Sequence, residues 1–221
     1  MGTITRSFAN NLTTGGVLKA DAFNNASLNN VTALNAGIAT GNMILLSSQT
    51  ASSSASISFT TGIDSTYKEY QFWFIDIHNN TENGGFNFQC STDGGSNYNT
   101  TVTSTAFRAE HNEEDNDTIL GYRNDTNFDQ AQGTAFQRLI DGTGNGADES
   151  GVGTLTIYNP SSTTFVKHWI SNCTAYHGAG AGYAINYYFA GYFNTTSAIN
   201  AVRFSTFSGN FDGTILLFGI K

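Results

Sequence analysis

The stretch Ser91-Thr92-Asp93-Gly94-Gly95-Ser96-Asn97-Tyr98 follows directly on the alternating run FNFQC. Its S-x-D-x-G-x-x-aromatic spacing suits a tight turn: the Asp carboxylate accepts backbone N–H groups across the turn, glycine supplies positive φ, and the aromatic ring packs beneath. None of these roles is catalytic. A second set of carboxylates lies in Glu110-His111-Asn112-Glu113-Glu114-Asp115-Asn116-Asp117, followed by Asp125 and Asp129. Oxygen ligands at alternate positions suit calcium, but no glycine stands where an EF-type loop bends sharply. A carboxylate pair for glycoside hydrolysis depends on a separation that sequence does not display. The expectation for residues 110–129 is a solvated acidic loop.

His78, His111, His168 and His177 form neither H-x-x-x-H nor H-E-x-x-H, and no G-x-S-x-G accompanies them. The run His177-Gly178-Ala179-Gly180-Ala181-Gly182 lacks the GK[ST] ending of a phosphate loop and reads as a flexible hairpin loop. Cys90 and Cys173 are too few and too far apart for a metal site or a disulfide framework, and read as small buried strand residues. The octapeptide 91–98 resembles the Asp box of sialidases and related propellers. It occurs once, the chain has no repeat of fixed period, and its arginines are only Arg6, Arg108, Arg123, Arg138 and Arg203. A hairpin turn is therefore expected at 91–98, not an enzyme. No catalytic, cofactor-binding or metal-binding residue is assigned, and no cofactor is called for.

The elements that carry these residues follow from composition. Of 221 residues, 39% are hydrophobic and 13% aromatic, enough for one domain with a real core. One proline, 24 glycines and an excess of Asn, Thr and Ser argue for strands and turns over long helices. The formal charge is -8 with no basic stripe, which excludes nucleic acid as an expected partner. No apolar run reaches membrane-spanning length, and MGTITRSFANN has neither a basic nor an apolar signal region, so folding in a cytoplasm without membrane insertion is expected.

Residues 1–41 carry isolated apolar side chains (Val17, Leu18, Phe23, Leu28, Val31, Leu34, Ile38) with no sustained period of 2 or 3.6. They are expected to form an extended N-terminal arm that docks on other chains. Residues 42–221 show short runs of β-branched and aromatic residues between turn clusters. Strands are expected at 42–48, 54–60, 68–78, 85–91, 101–109, 134–140, 152–158, 164–176, 183–193, 200–207 and 214–220. In the third, Tyr70, Phe72, Phe74 and Asp76 should share one side, with Trp73, Ile75 and Ile77 on the other; two apolar sides make it a central strand. Hairpin turns are expected at Asn159-Pro160-Ser161-Ser162 and at Ser208–Gly213. So many strands with short connections imply an all-β fold, a two-sheet antiparallel β-sandwich of jelly-roll type. Aromatic-rich runs such as YAINYYFAGYF hold more apolar side chains than one inward face hides, which implies a homo-oligomer.

Three stretches together resemble the virion structural and tail-fibre-like proteins of marine tailed bacteriophages of the cyanophage and pelagiphage type. They are GTITRSFANNLTTGGVLKADAFNNASLNNVT, then SASISFTTGIDSTYKEYQFWFIDIH with FNFQCSTDGGSNYN, and FNTTSAINAVRFSTFSGNFDGTILLFGIK. The resemblance implies a tail-fibre or appendage component of the virion, assembled in the host cytoplasm and exposed to meet a host surface glycan or protein. It also implies a homotrimer, joined to other virion proteins through residues 1–41, and brings no catalytic motif. Capsid decoration on the head exterior is the alternative within that class; a secreted carbohydrate-binding module or glycosidase is the alternative outside it.

Overall fold

In the computed structural model, described for residues 42–125, 127–177 and 182–221, every regular element is a strand. The expected arm, 1–41, and residues 178–181 of the glycine-rich loop lie outside the described residues. The strands are β1 (Met43–Ser54), β2 (Ser56–Phe59), β3 (Glu69–Asn79), β4 (Gly84–Ser91), β5 (Val102–Asn112) and β6 (Thr118–Tyr122). There follow β7 (Gln137–Thr143), β8 (Gly151–Tyr158), β9 (Lys167–His177), β10 (Tyr183–Phe193), β11 (Ala201–Thr206) and β12 (Phe211–Ile220). They form two antiparallel sheets, one of eight strands in the order β1-β12-β3-β8-β9-β10-β5-β6 and one of four in the order β2-β11-β4-β7. No described helix is long and apolar enough to cross a membrane.

Alternation decides which side chains the sheets share. Along β9, Trp169, Ser171, Cys173 and Ala175 are buried while His168, Ile170, Asn172 and Thr174 face outward. The inward sets of both sheets meet in an aromatic core: Phe72 and Phe74 of the larger sheet lie edge-on to Phe204 of the smaller, at 5.1 and 5.2 Å between ring centres. Cys90 and Cys173 are both buried and both free, and burial raises each thiol pKa, that of Cys173 to about 12.

Four expectations change. The acidic stretch is not one loop: Glu110, His111 and Asn112 end β5, a turn at 113–117 reverses the chain, and Thr118–Tyr122 pairs back on β5 as a further strand. The apolar triplet Ile119-Leu120-Gly121 was too short, among acids, to show a period. In β3, Asp76 is exposed and Ile77 buried, the reverse of the expected order. A bulge is the reason, for pairing shifts register on both sides of the strand there and Asp76 takes φ 51. β3 is an interior strand, as expected.

Neither 91–98 nor Ser208–Gly213 is a hairpin. The first joins β4 of the smaller sheet to β5 of the larger, and the second joins β11 of the smaller to β12 of the larger. Turn residues report a reversal of direction but not which sheet the next strand enters. Asn159-Pro160-Ser161-Ser162 does join the paired strands β8 and β9, closed by the Ser162 N–H donating to the Asn159 carbonyl at 3.0 Å.

Candidate functional site

The octapeptide 91–98 closes on its own side chains. Ser91 Oγ, buried at the end of β4, accepts from the N–H groups of Asp93 and Gly95 at 3.2 and 3.0 Å and donates to Asp93 Oδ1 at 2.6 Å. That carboxylate also accepts from the Asn97 N–H at 2.9 Å and from Asn97 Nδ2 at 2.7 Å. Asn200 Oδ1 accepts from the Gly94 N–H, tying the turn to the start of β11. Below it the Arg203 guanidinium lies 4.0 Å from the centre of the Tyr98 ring, and Arg203 Nε donates to Ser58 Oγ. The Ser91, Asp93 and Asn97 side chains are thus spent on holding the loop that crosses between sheets.

The hydrogen bonds from Ser91 and then Asn97 lower the Asp93 pKa from 3.8 to about 2. A carboxyl with a depressed folded-state pKa stabilises the fold fully above its unfolded value, and that contribution is lost as pH falls from 3.8 through about 2. Thermal melts taken downward through this window should show a fall in Tm that Asp93→Asn flattens. Equal slopes in the two proteins would remove Asp93 as its source.

Gly94 and Gly95 both have positive φ, 73 and 91, but only at Gly95 is the space filled: an added Cβ would stand 2.7 Å from Tyr98 Oη and 2.9 Å from Thr60 Cγ2. Gly95→Ala should therefore cost about 1–3 kcal/mol of strain and clash and more than Gly94→Ala, which meets nothing within 4 Å. Urea denaturation of the two variants checks the order.

Of the other titratable residues, Arg123 and Arg138 converge on Asp141, Arg123 at 3.7 Å. Among the described residues no group of three or more His, Cys, Asp or Glu side chains is placed to hold a metal ion. His111 pairs with Asp115 at 3.0 Å, and His78 Nδ1 lies 2.6 Å from the Glu149 carbonyl. Arg108 pairs with Glu110, Arg123 with Asp125, and Arg138 with Asp141; Arg123 and Arg138 also lie over the Phe128 ring. Buried Lys167 donates to the Thr195 carbonyl at 3.0 Å, and burial lowers its pKa.

The least ordinary surface is the outward face of the eight-stranded sheet. One cross-strand row runs Ser48, Leu216, Trp73, Thr154, Asn172, Tyr188, Phe107, Tyr122 over all eight strands. The next runs Leu45, Phe218, Gln71, Thr156, Ile170, Ala190, Thr105 over seven. Neither row contains a charge. Large apolar side chains stand open in them: Leu45 is 54% exposed, Phe107 46% and Tyr122 58%. Phe107 and Tyr188 stack at 5.3 Å and 17° into a ridge, and Trp73 packs on Phe218 at 5.0 Å. Two hollows flank the ridge. One, of about 490 Å³, is lined by Tyr158, His168, Ile170, Ala190 and Tyr192 among others; the second, of about 450 Å³, by His111, Val152, Thr174, Tyr176 and Ala184 among others.

This face was legible only in part. YAINYYFAGYF has aromatic residues in both registers, which signals a second apolar face; Leu120 and Tyr122 sit in a stretch whose acids hid the strand. Compared with known protein families, curated proteins and solved structures, the chain matches none.

Proposed function

We propose that this chain is a structural protein of a tailed-phage virion, a tail-fibre or appendage component exposed for attachment to a host surface. The observation that carries the reading is a pair of charge-free cross-strand rows on the outward face of the larger sheet, one of them spanning all eight strands, set with exposed Leu45, Phe107 and Tyr122. An uncharged face of that extent, with open aromatic and aliphatic side chains between Thr, Gln and Asn, belongs to a protein that works in an assembly. The resemblance of the leader, centre and end of the chain to marine phage structural proteins supplies the kind of assembly.

In this reading the domain at 42–221 is a jelly-roll-type sandwich. Each strand of the four-stranded sheet is preceded and followed in the chain by a strand of the larger one, which supports winding of that kind. Residues 1–41 are the docking arm toward other virion proteins, the chain is a homo-oligomer, and the polar loops meet a host glycan or protein. The motif at 91–98 serves as a turn, and the chain is not an enzyme.

Immunogold labelling of tailed-phage particles that carry the chain tests the reading. Label on the tail or its appendages is the expected result. Label confined to the head would make the chain a capsid decoration protein, and particles free of label, in lysates that contain the protein, would end the virion reading.

A further inference from the structure

We infer that the outward face of the eight-stranded sheet is covered by the same face of a second copy of this chain, with the Phe107–Tyr188 ridge of one copy seated in the Ala190 hollow of the other. The inference rests on the assembly role proposed above and names its first partner.

Three observations select a second copy as the occupant. The first is extent. Eight strands about 4.8 Å apart and roughly eight residues long at about 3.3 Å each give a face of roughly 1,000 Å², Glu69 standing in the row beside the two uncharged ones, against about 800 Å² per partner in a standard stable interface. The second is charge. Two copies each carrying -8 repel over most of their surfaces, and the two central rows of this face hold no charge, so like copies approach there without a desolvated or opposed carboxylate.

The third is shape. The ridge stands one cross-strand row from the hollow, since Tyr188 pairs with Phe107 and Ala190 with Thr105. Small Ala190 and Gly191 line the hollow together with Tyr158, Ile170 and Tyr192. A partner offset by about one row presents its ridge to that hollow while receiving a ridge in return. Residues 1–41 suit the face less well: in sequence their apolar residues are isolated and follow no period of 2 or 3.6.

Light scattering on the full chain, with near-UV circular dichroism as the check of folding, tests this. The full chain should have a mass of two or more times 23.7 kDa at micromolar concentration. Phe107→Glu with Tyr188→Glu puts carboxylates on the ridge, and Ala190→Trp fills the hollow; all three side chains point away from the core. Each variant should keep its circular dichroism spectrum and fall to the mass of one chain.

A full chain that is already monomeric overturns the inference, as does a multimer whose mass both variants retain. So does a monomeric full chain that becomes multimeric on deletion of residues 1–41, because the arm would then be the occupant. A monomer that still labels the virion leaves the proposed function standing without this interface. A multimer broken by both variants, but absent from particles, does the reverse.

Discussion

Replacing Phe204 with alanine is expected to cost about 3–5 kcal/mol, the range for removing a buried phenylalanine from a packed core. The ring lies on β11 in the middle of the smaller sheet and is fully buried. It touches both layers: Phe86 stacks on it at 5.6 Å and Phe88 at 6.3 Å within its own sheet. Phe72 and Phe74 meet it edge-on from the larger sheet, and Phe59 of β2 closes the ring at 6.1 Å. Five aromatic neighbours cannot collapse together into the vacated space without leaving their own contacts, so a cavity term adds to the lost transfer energy. Domains of this size are stable by about 5–15 kcal/mol, so the variant should fold but sit close to its limit. Phe204→Leu keeps most of the volume and should lose much less. Guanidinium denaturation gives both numbers, and a loss under about 1 kcal/mol for Phe204→Ala would mean that the two sheets are not joined through this ring.

That the core would be aromatic was readable directly, because Phe86, Phe88, Phe204 and Phe72 stand at alternate positions of runs with strand-forming composition. What sequence could not display was how strands are shared between sheets. Ser208–Gly213 has the composition of a hairpin turn, yet β12 enters the larger sheet between β1 and β3 while β11 stays between β2 and β4. That outcome depends on long-range pairing of apolar faces, which no local turn signal encodes.

The site shows the same division. Spacing alone identified Asp93, Gly95 and Tyr98 as parts of one turn, because their roles are local and contained within eight residues. The part of Asn200 in holding Gly94, from more than a hundred residues away, and that of Arg203 under Tyr98, had no sequence signal at all. The bulge at Asp76 was equally silent: one extra residue in β3 exchanges Asp76 for Ile77 at the core, and only the paired strands reveal it.

Gln137 is the polar counterpart of Phe204, and its replacement by leucine is expected to cost roughly 3 kcal/mol or more. It is fully buried on β7, an edge strand of the smaller sheet. Its Nε2 donates to the carbonyls of Phe128 at 3.0 Å, Arg138 at 3.1 Å and Asn127 at 3.3 Å, and its Oε1 accepts from Ser104 Oγ of β5 at 2.7 Å. One amide thus ties the smaller sheet to the larger and pins the segment that leads from β6 to β7. Leucine fits the space but removes all four bonds at once, each worth about 1 kcal/mol, and leaves the Ser104 hydroxyl only its longer 3.2 Å bond to the Phe128 carbonyl as donor.

Gln137→Glu isolates the donor role, because the two side chains have nearly the same shape. Ionised, the glutamate offers no hydrogen to the Phe128 and Arg138 carbonyls and carries a buried charge, so its folded-state pKa must rise above the unfolded value of about 4.3. A carboxyl with a raised folded pKa supports the fold below that unfolded value and loses the support as pH climbs through the folded one. The deficit of Gln137→Glu against the parent chain should be small in acid and widen toward neutral pH, the opposite direction from the loss expected at Asp93. A deficit that stays constant across that range would mean that the amide hydrogens of Gln137 are not what holds the two sheets together at this point.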